Sequence, residues 1–159
     1  FAYEQYGIAP DIVTMGERSR RRSAYRRRAG CEVLRGCYGT GTHGSTFGGN
    51  PVSAASANVV LDTVMKPEFL KEVEEKGAYI REKVLGFHSP AVKNVRGMGL
   101  MLGIIVDPEK RAGYVAKLME QGVLVLTAGT DAIRLLPPLV ITYEEIDQAL
   151  EAMKGVFES

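Results

Sequence analysis

Cysteine and histidine are scarce in this sequence, at two residues each in 159, and no apolar run approaches the roughly 20 residues that a membrane-crossing helix needs. Cys31 and Cys37 stand at a C-x5-C spacing without the second ligand pair that a zinc site requires, so they read as reduced bystanders. His88 has no cysteine or histidine nearby and reads as a loop residue, which leaves no metal site to expect. The opening FAYEQYG lacks the basic and apolar regions of a signal peptide, which points to a cytoplasmic protein. It also lacks an initiator methionine and begins like the interior of something larger, so a fragment is expected. What is present is the apolar and charged balance of an ordinary soluble globular domain.

A net charge of +1 conceals an uneven distribution. Residues 16–35 hold eight arginines (Arg18, Arg20, Arg21, Arg22, Arg26, Arg27, Arg28 and Arg35) against Glu17 and Glu32. That tract therefore carries a formal +6 and leaves the rest of the chain at −5. A mildly acidic body bearing one basic insert is the result. One meaning of the insert is a nucleic-acid-binding arm that neutralises phosphates, although only Tyr25 and Tyr38 are at hand to stack on bases.

The remainder divides by local signals. Asn50-Pro51 starts a helix over 51–65, because Asn caps free N–H groups and Pro at the first position lacks a donor that would be orphaned anyway. Pro67 ends it, and Leu70, Val73, Gly77, Ile80 and Val84 then recur at helical spacing, with Glu72 and Lys76 paired on the wet side. VKNVRGMGLMLGIIVD reads as a strand with an apolar end over 100–106. Its glycines, Gly97, Gly99 and Gly103, do not make a dinucleotide fingerprint, since the spacing is wrong and the run leads into a strand; close backbone packing accounts for them better. Ala112, Val115, Ala116 and Met119 mark one face of a helix that Gly122 ends. Strands are expected over 123–126 and 132–136, the second stopped by Pro137-Pro138. Thr142 and Glu145 form a capping box with Ile141 and Ile146 as the staple, ahead of a stripe at Ile146, Leu150, Met153 and Phe157. From residue 92 onward this order predicts a small α/β layer domain with helices over a mostly antiparallel sheet.

The chemical signal is HGSTFGGNP, residues 43–51, which places hydroxyls and small residues just before a helix N-terminus. Backbone N–H groups and the helix dipole favour an anion there, and phosphate is the natural candidate, though a hydroxyl-capped turn explains the same residues. Together with FAYEQYGIAPDIVTM before it and VRGMGLMLGI and IRLLPPLVIT after it, HGSTFGGNP resembles the class III pyridoxal phosphate-dependent aminotransferases. Within the class it is most similar to the members that act on N-acetylornithine, with the ornithine, succinylornithine and 4-aminobutyrate enzymes as alternatives.

That resemblance implies an α/β fold of the aspartate aminotransferase-like type (fold type I), with pyridoxal 5'-phosphate as cofactor. It implies N-acetylornithine and 2-oxoglutarate as substrates, a homodimer, and a place in arginine biosynthesis, with neither nucleic acid nor membrane as partner. Residues 1–66 would be the tail of the large domain, with 16–41 aberrant, 67–91 a connecting helix, and 92–159 the small C-terminal domain. Thr46 would bind the cofactor phosphate across the dimer interface, Ser45 would lie at the substrate site, and Arg134 would serve the substrate carboxylate region. The family continues after DIVTM into Ala-Lys-Gly-Leu-Gly-Gly-Gly, whose lysine holds the cofactor as a Schiff base; this chain has Glu17 at that position. The aspartate that pairs with the pyridine nitrogen, and the residues that stack on the ring and grip the α-carboxylate, would lie upstream of Phe1. By itself the chain is therefore expected to be inactive.

A set of permitted codons for residues 16–30, read one base later, spells Ala-Lys-Gly-Leu-Gly-Gly-Gly-Leu-Pro-Ile-Gly-Ala-Val-Leu-Ala. A local change of reading frame thus turns a glycine-rich loop into an arginine-rich one. Arginines so produced cannot fill a buried strand, so the tract is expected to be irregular or exposed.

Overall fold

The computed structural model describes residues 1–15, 27–30, 40–41, 44, 46 and 48–159, and for 14–15 and 27–30 the backbone alone. The chain forms two compact units, Phe1–Lys66 and Pro67–Ser159.

In the first unit, α1 (Ala2–Gln5) precedes β1 (Ile12–Met15), which pairs antiparallel with β2 (Arg27–Gly30) in the register Ile12↔Gly30 to Met15↔Arg27. This corrects the expectation of an irregular basic tract at four of its residues. Ladder hydrogen bonds join backbone groups that arginine and alanine possess as fully as valine does, so side-chain character alone does not forbid the strand. The rest of the tract, Cys31 and Cys37 included, lies outside the described residues. α2 (Pro51–Val64) begins as its sequence predicts: the Asn50 side chain accepts from the Ser53 N–H at 3.0 Å, and Pro51 occupies the first turn. Ala57 is its one buried residue.

The second unit is a four-stranded antiparallel sheet with helices over one face. α3 (Pro67–Leu85) starts at Pro67 itself, because proline suits a first turn as well as it ends a preceding helix. Then come β3 (Asn94–Met98), β4 (Met101–Ile105), α4 (Arg111–Glu120), β5 (Leu126–Ala128), β6 (Ala132–Leu135) and α5 (Tyr143–Phe157), with the sheet in the order β3-β4-β6-β5. The single strand expected over this glycine-rich run is a hairpin that turns at Gly99-Leu100. Gly97, at φ 130°, has no room for a Cβ, which would overlap the Met101 carbonyl, and a Cβ on Gly77 of α3 would overlap that of Gly99. Helix and hairpin thus meet backbone to backbone, and only glycine allows it.

Val95, Leu102, Ile104, Ile133 and Leu135 project into the core from one face of the sheet. Ile80 and Val84 of α3, Leu118 of α4, and Ile146, Leu150, Met153, Val156 and Phe157 of α5 close over them. The predicted capping box is present, with the Thr142 hydroxyl accepting from the Glu145 N–H at 3.2 Å and the Glu145 carboxylate accepting from the Thr142 N–H at 2.8 Å. Ile141 packs against the core beside the buried Ile146.

Four expectations shift. Lys76 is buried, not on the wet side: its stem packs inward while Nζ meets Glu72 at 2.6 Å and sits 5.8 Å from the Tyr143 ring, as a long amphipathic side chain can. Leu70, at the head of α3, stays exposed. α4 turns Leu118 inward, flanked by Tyr114 and Val115, and leaves Met119, Ala112 and Ala116 exposed, because 114, 115 and 118 share one helical face and 112, 116 and 119 another. Residues 123–125 run without strand pairing, and β5 starts at Leu126.

Candidate functional site

Two of the candidate residues can be placed. Thr46 is exposed in a turn four residues before the Asn50 cap of α2, with Gly48 and Gly49 between them. Gly49 has a φ of 75°, which lets the chain turn sharply into the helix. A 14-residue helix headed by hydroxyl and glycine residues presents the positive end of its dipole, so an anion is the fitting ligand. Ser45, His43 and Glu17 lie outside the described residues.

Arg134 belongs to the second unit and occupies the middle of β6, opposite Gly103 on one side and Leu126 on the other. Its neighbours Ile133 and Leu135 point into the core, so the arginine projects from the opposite face of the sheet. It is half-buried, and its Nε is buried with no hydrogen-bond partner among the described residues. A buried guanidinium donor without an acceptor is costly, and a carboxylate is the acceptor that matches the planar fork.

Arg96 stands in the same cross-strand row, opposite Gly103 on β3. Its Nη2 donates to Asp131 Oδ1 at 3.1 Å. The sequence pattern does not single it out, since only the strand order places it beside Arg134. Arg111, at the head of α4, donates from Nη1 to the Gly129 carbonyl at 2.6 Å and holds the turn between β5 and β6. His88 is exposed in the loop after α3.

A cavity of about 460 Å³ opens elsewhere in the second unit, between residues 121–125, the Pro137-Pro138 exit of β6 and α5. Its walls are largely apolar, with Val123, Val125, Leu135, Ile146 and Leu150 among them, and neither Thr46 nor Arg134 lines it. The candidate chemistry therefore belongs to the turn before α2 and to the outer sheet face.

The relatives share this arrangement of elements. An acetylornithine aminotransferase of Bacillus cereus is 46% identical over 158 residues, 98% of this chain and 41% of its own length. One from Bacillus subtilis is 42% identical over 155 residues, 97% of this chain and 40% of its own. Among solved structures, the acetylornithine aminotransferase of Elizabethkingia anophelis superposes with a TM-score of 0.88 at 26% identity, covering 99% of this chain and 43% of its own. The ornithine aminotransferase of Toxoplasma gondii, crystallised with partial occupancy of PLP at its active site, gives 0.88 at 31% identity, covering 99% and 38%. The chain thus spans about two-fifths of the length of the curated relatives it matches. The family profile described as aminotransferase class-III matches residues 1–157, and with these relatives it shows that the chain belongs to the class-III aminotransferases.

Proposed function

We propose that the protein of which this chain forms a part is a pyridoxal phosphate-dependent aminotransferase that moves an amino group between N-acetylornithine and 2-oxoglutarate in arginine biosynthesis. The observation that carries this reading is the 46% identity to an acetylornithine aminotransferase over 98% of the chain, reaching across both units. In this reading residues 1–66 are the tail of the large domain, 67–91 a connecting helix and 92–159 the small domain. The enzyme is a cytoplasmic homodimer. Among the described residues no helix is long and apolar enough to cross a membrane. Family membership does not favour the alternative of an arginine-rich nucleic-acid module.

The residues present fit the cofactor only in part. Bound pyridoxal phosphate supplies an electron sink for the carbon that exchanges its amino group. For its phosphate, the chain offers the exposed Thr46 hydroxyl ahead of the α2 N-terminus, and Ser45 beside it belongs to the substrate site. Arg134 would take the substrate carboxylate, orienting it with a guanidinium that has an unused buried donor. Covalent attachment is where the fit fails, because Glu17 stands at the lysine position and a carboxylate has no amine with which to hold or shuttle. This chain by itself is therefore inactive.

Mixing the chain with pyridoxal phosphate, reducing with borohydride and mapping the modified peptides tests the reading. As it stands, the chain should show only scattered labelling of lysines such as Lys71, Lys76 or Lys154, with the buried Lys76 the least of them. In a protein of the relatives' full length with the lysine loop restored in frame, labelling should concentrate on the lysine replacing Glu17, and N-acetylornithine should turn over. Restoration that changed neither labelling nor turnover would refute the aminotransferase reading.

A further inference from the structure

We propose that Arg81 of α3 closes the free edge of the sheet, holding β3 against pairing with the β3 of a second copy of the chain. Nothing in this depends on the aminotransferase reading.

β3 lies at one end of the order β3-β4-β6-β5, so one of its sides has no strand beside it. Hydrogen bonding to β4 alternates along the hairpin, through Met98↔Met101 beside the two-residue turn and then Arg96↔Gly103, so Val95 and Gly97 turn their N–H and C=O groups outward. An edge of that kind is a template for a further strand. At the opposite end β5 is only three residues long and offers little to pair with.

The outward groups of β3 are already occupied. Arg81 donates from Nη1 to the Val95 carbonyl and from Nη2 to the Gly97 carbonyl, the latter at 2.8 Å. The Val95 N–H donates to Asn94 Oδ1 at 2.8 Å. Three of the four outward groups at these two residues are thus satisfied by side chains. Arg81 reaches the edge because Gly77, one turn earlier on the same face of α3, lies against the Gly99 backbone. A guanidinium suits this place, since its fork meets two carbonyls at once and its charge is costly to bury beneath an incoming strand.

A second copy is the partner that the open edge would fit. It supplies a strand of matching length, and a twofold arrangement joins Val95 of one copy to Gly97 of the other. That pairing sets the exposed Arg96 directly opposite its own counterpart, where like charges repel. Arg96 therefore adds a second barrier to the one that Arg81 makes.

The test compares the full chain with Arg81→Met, which keeps an apolar stem and helix propensity but has no donor, by sedimentation velocity and by hydrogen exchange over a range of concentrations. Arg81→Met should associate at concentrations where the parent does not change. Exchange of the Val95 and Gly97 amides should slow about tenfold on association, the effect of one added hydrogen bond each. Adding Arg96→Thr to Arg81→Met should tighten the association. Arg81→Lys, a point donor in place of a fork, should fall between the parent and Arg81→Met. If circular dichroism shows Arg81→Met to be unfolded, Arg81→Lys and Asn94→Ala decide, because each opens part of the edge and should bring the same slowing at higher concentration. Folded variants that associate no more than the parent, or association that leaves the Val95 and Gly97 amides unprotected, would overturn the proposal.

Discussion

The two units differ in what holds them. In Pro67–Ser159 three helices and four strands share one core, in which Val84, Ile104, Val106, Leu118 and Ile133 are wholly buried. In Phe1–Lys66 the described residues bury Ala57 alone, while Val52 and Val59 of α2 and Met65 at its C-cap stand exposed. Yet the identity to class-III relatives runs through both. The second unit is specified by burial among its own residues, whereas the described residues of the first bury little. The contrast predicts that the second unit stands by itself and that the first does not.

The sharpest way to break that contrast is to cut it. A chain of residues 67–159 should unfold in one cooperative transition, whereas residues 1–66 alone should show none; denaturation followed by circular dichroism distinguishes them. A cooperative transition in 1–66 would mean that its residues share a core of their own.

Single substitutions sharpen the comparison. Ile133→Ala removes a wholly buried side chain beneath the helices and should cost about 2–5 kcal/mol. Val59→Ala, on the exposed side of α2, should stay within about 0.5 kcal/mol in the same assay. At the head of α5, Thr142→Ala deletes half of the capping box and should cost about 1 kcal/mol by urea unfolding. A smaller effect than that would show that the staple and core hold the helix start without its cap.

The smallest effect is a pH dependence within the second unit. Tyr79 of α3 donates to Asp147 of α5 at 2.6 Å, and that hydrogen bond, followed by burial, raises the phenol above its ordinary value of 10.0. The folded state thus favours the protonated phenol. Its contribution is complete below pH 10.0 and is lost as the pH rises through the raised value. Stability should fall on that alkaline side in the parent chain, and Tyr79→Phe should be slightly less stable at neutral pH and lose this part of the alkaline decline. Identical alkaline profiles would show that the bond between α3 and α5 contributes nothing.

Much of the architecture was legible because its determinants are local. Asn50-Pro51 starts α2, and Thr142 with Glu145 caps α5, since a cap is a contact between residues three apart in the chain. The stripe at Ile146, Leu150, Met153 and Phe157 is buried as its spacing demands. Thr46 and Arg134 were singled out by their motifs, and the structure places one in a turn before α2 and the other in β6. The basic tract was read as irregular or exposed; β2 corrects the irregular part at four residues, because backbone groups make the ladder whatever the side chains.

Other features exist only because distant segments meet. Gly99-Leu100 divides one apolar run into a hairpin, and α3 lies so close to it that Gly77 has no room for a Cβ. Lys76 is buried where a helix joined to it only through the fold brings the Tyr143 ring to 5.8 Å from its Nζ. Arg96 and Arg134, 38 positions apart in the sequence, share a row because β6 pairs with β4 and not with β3. By itself the sequence determined the caps and the stripe of α5, which are properties of neighbouring residues. The tertiary structure decided which arginines face one another, because pairing order and register are set by burying the sheet's other face, and no local pattern encodes that choice.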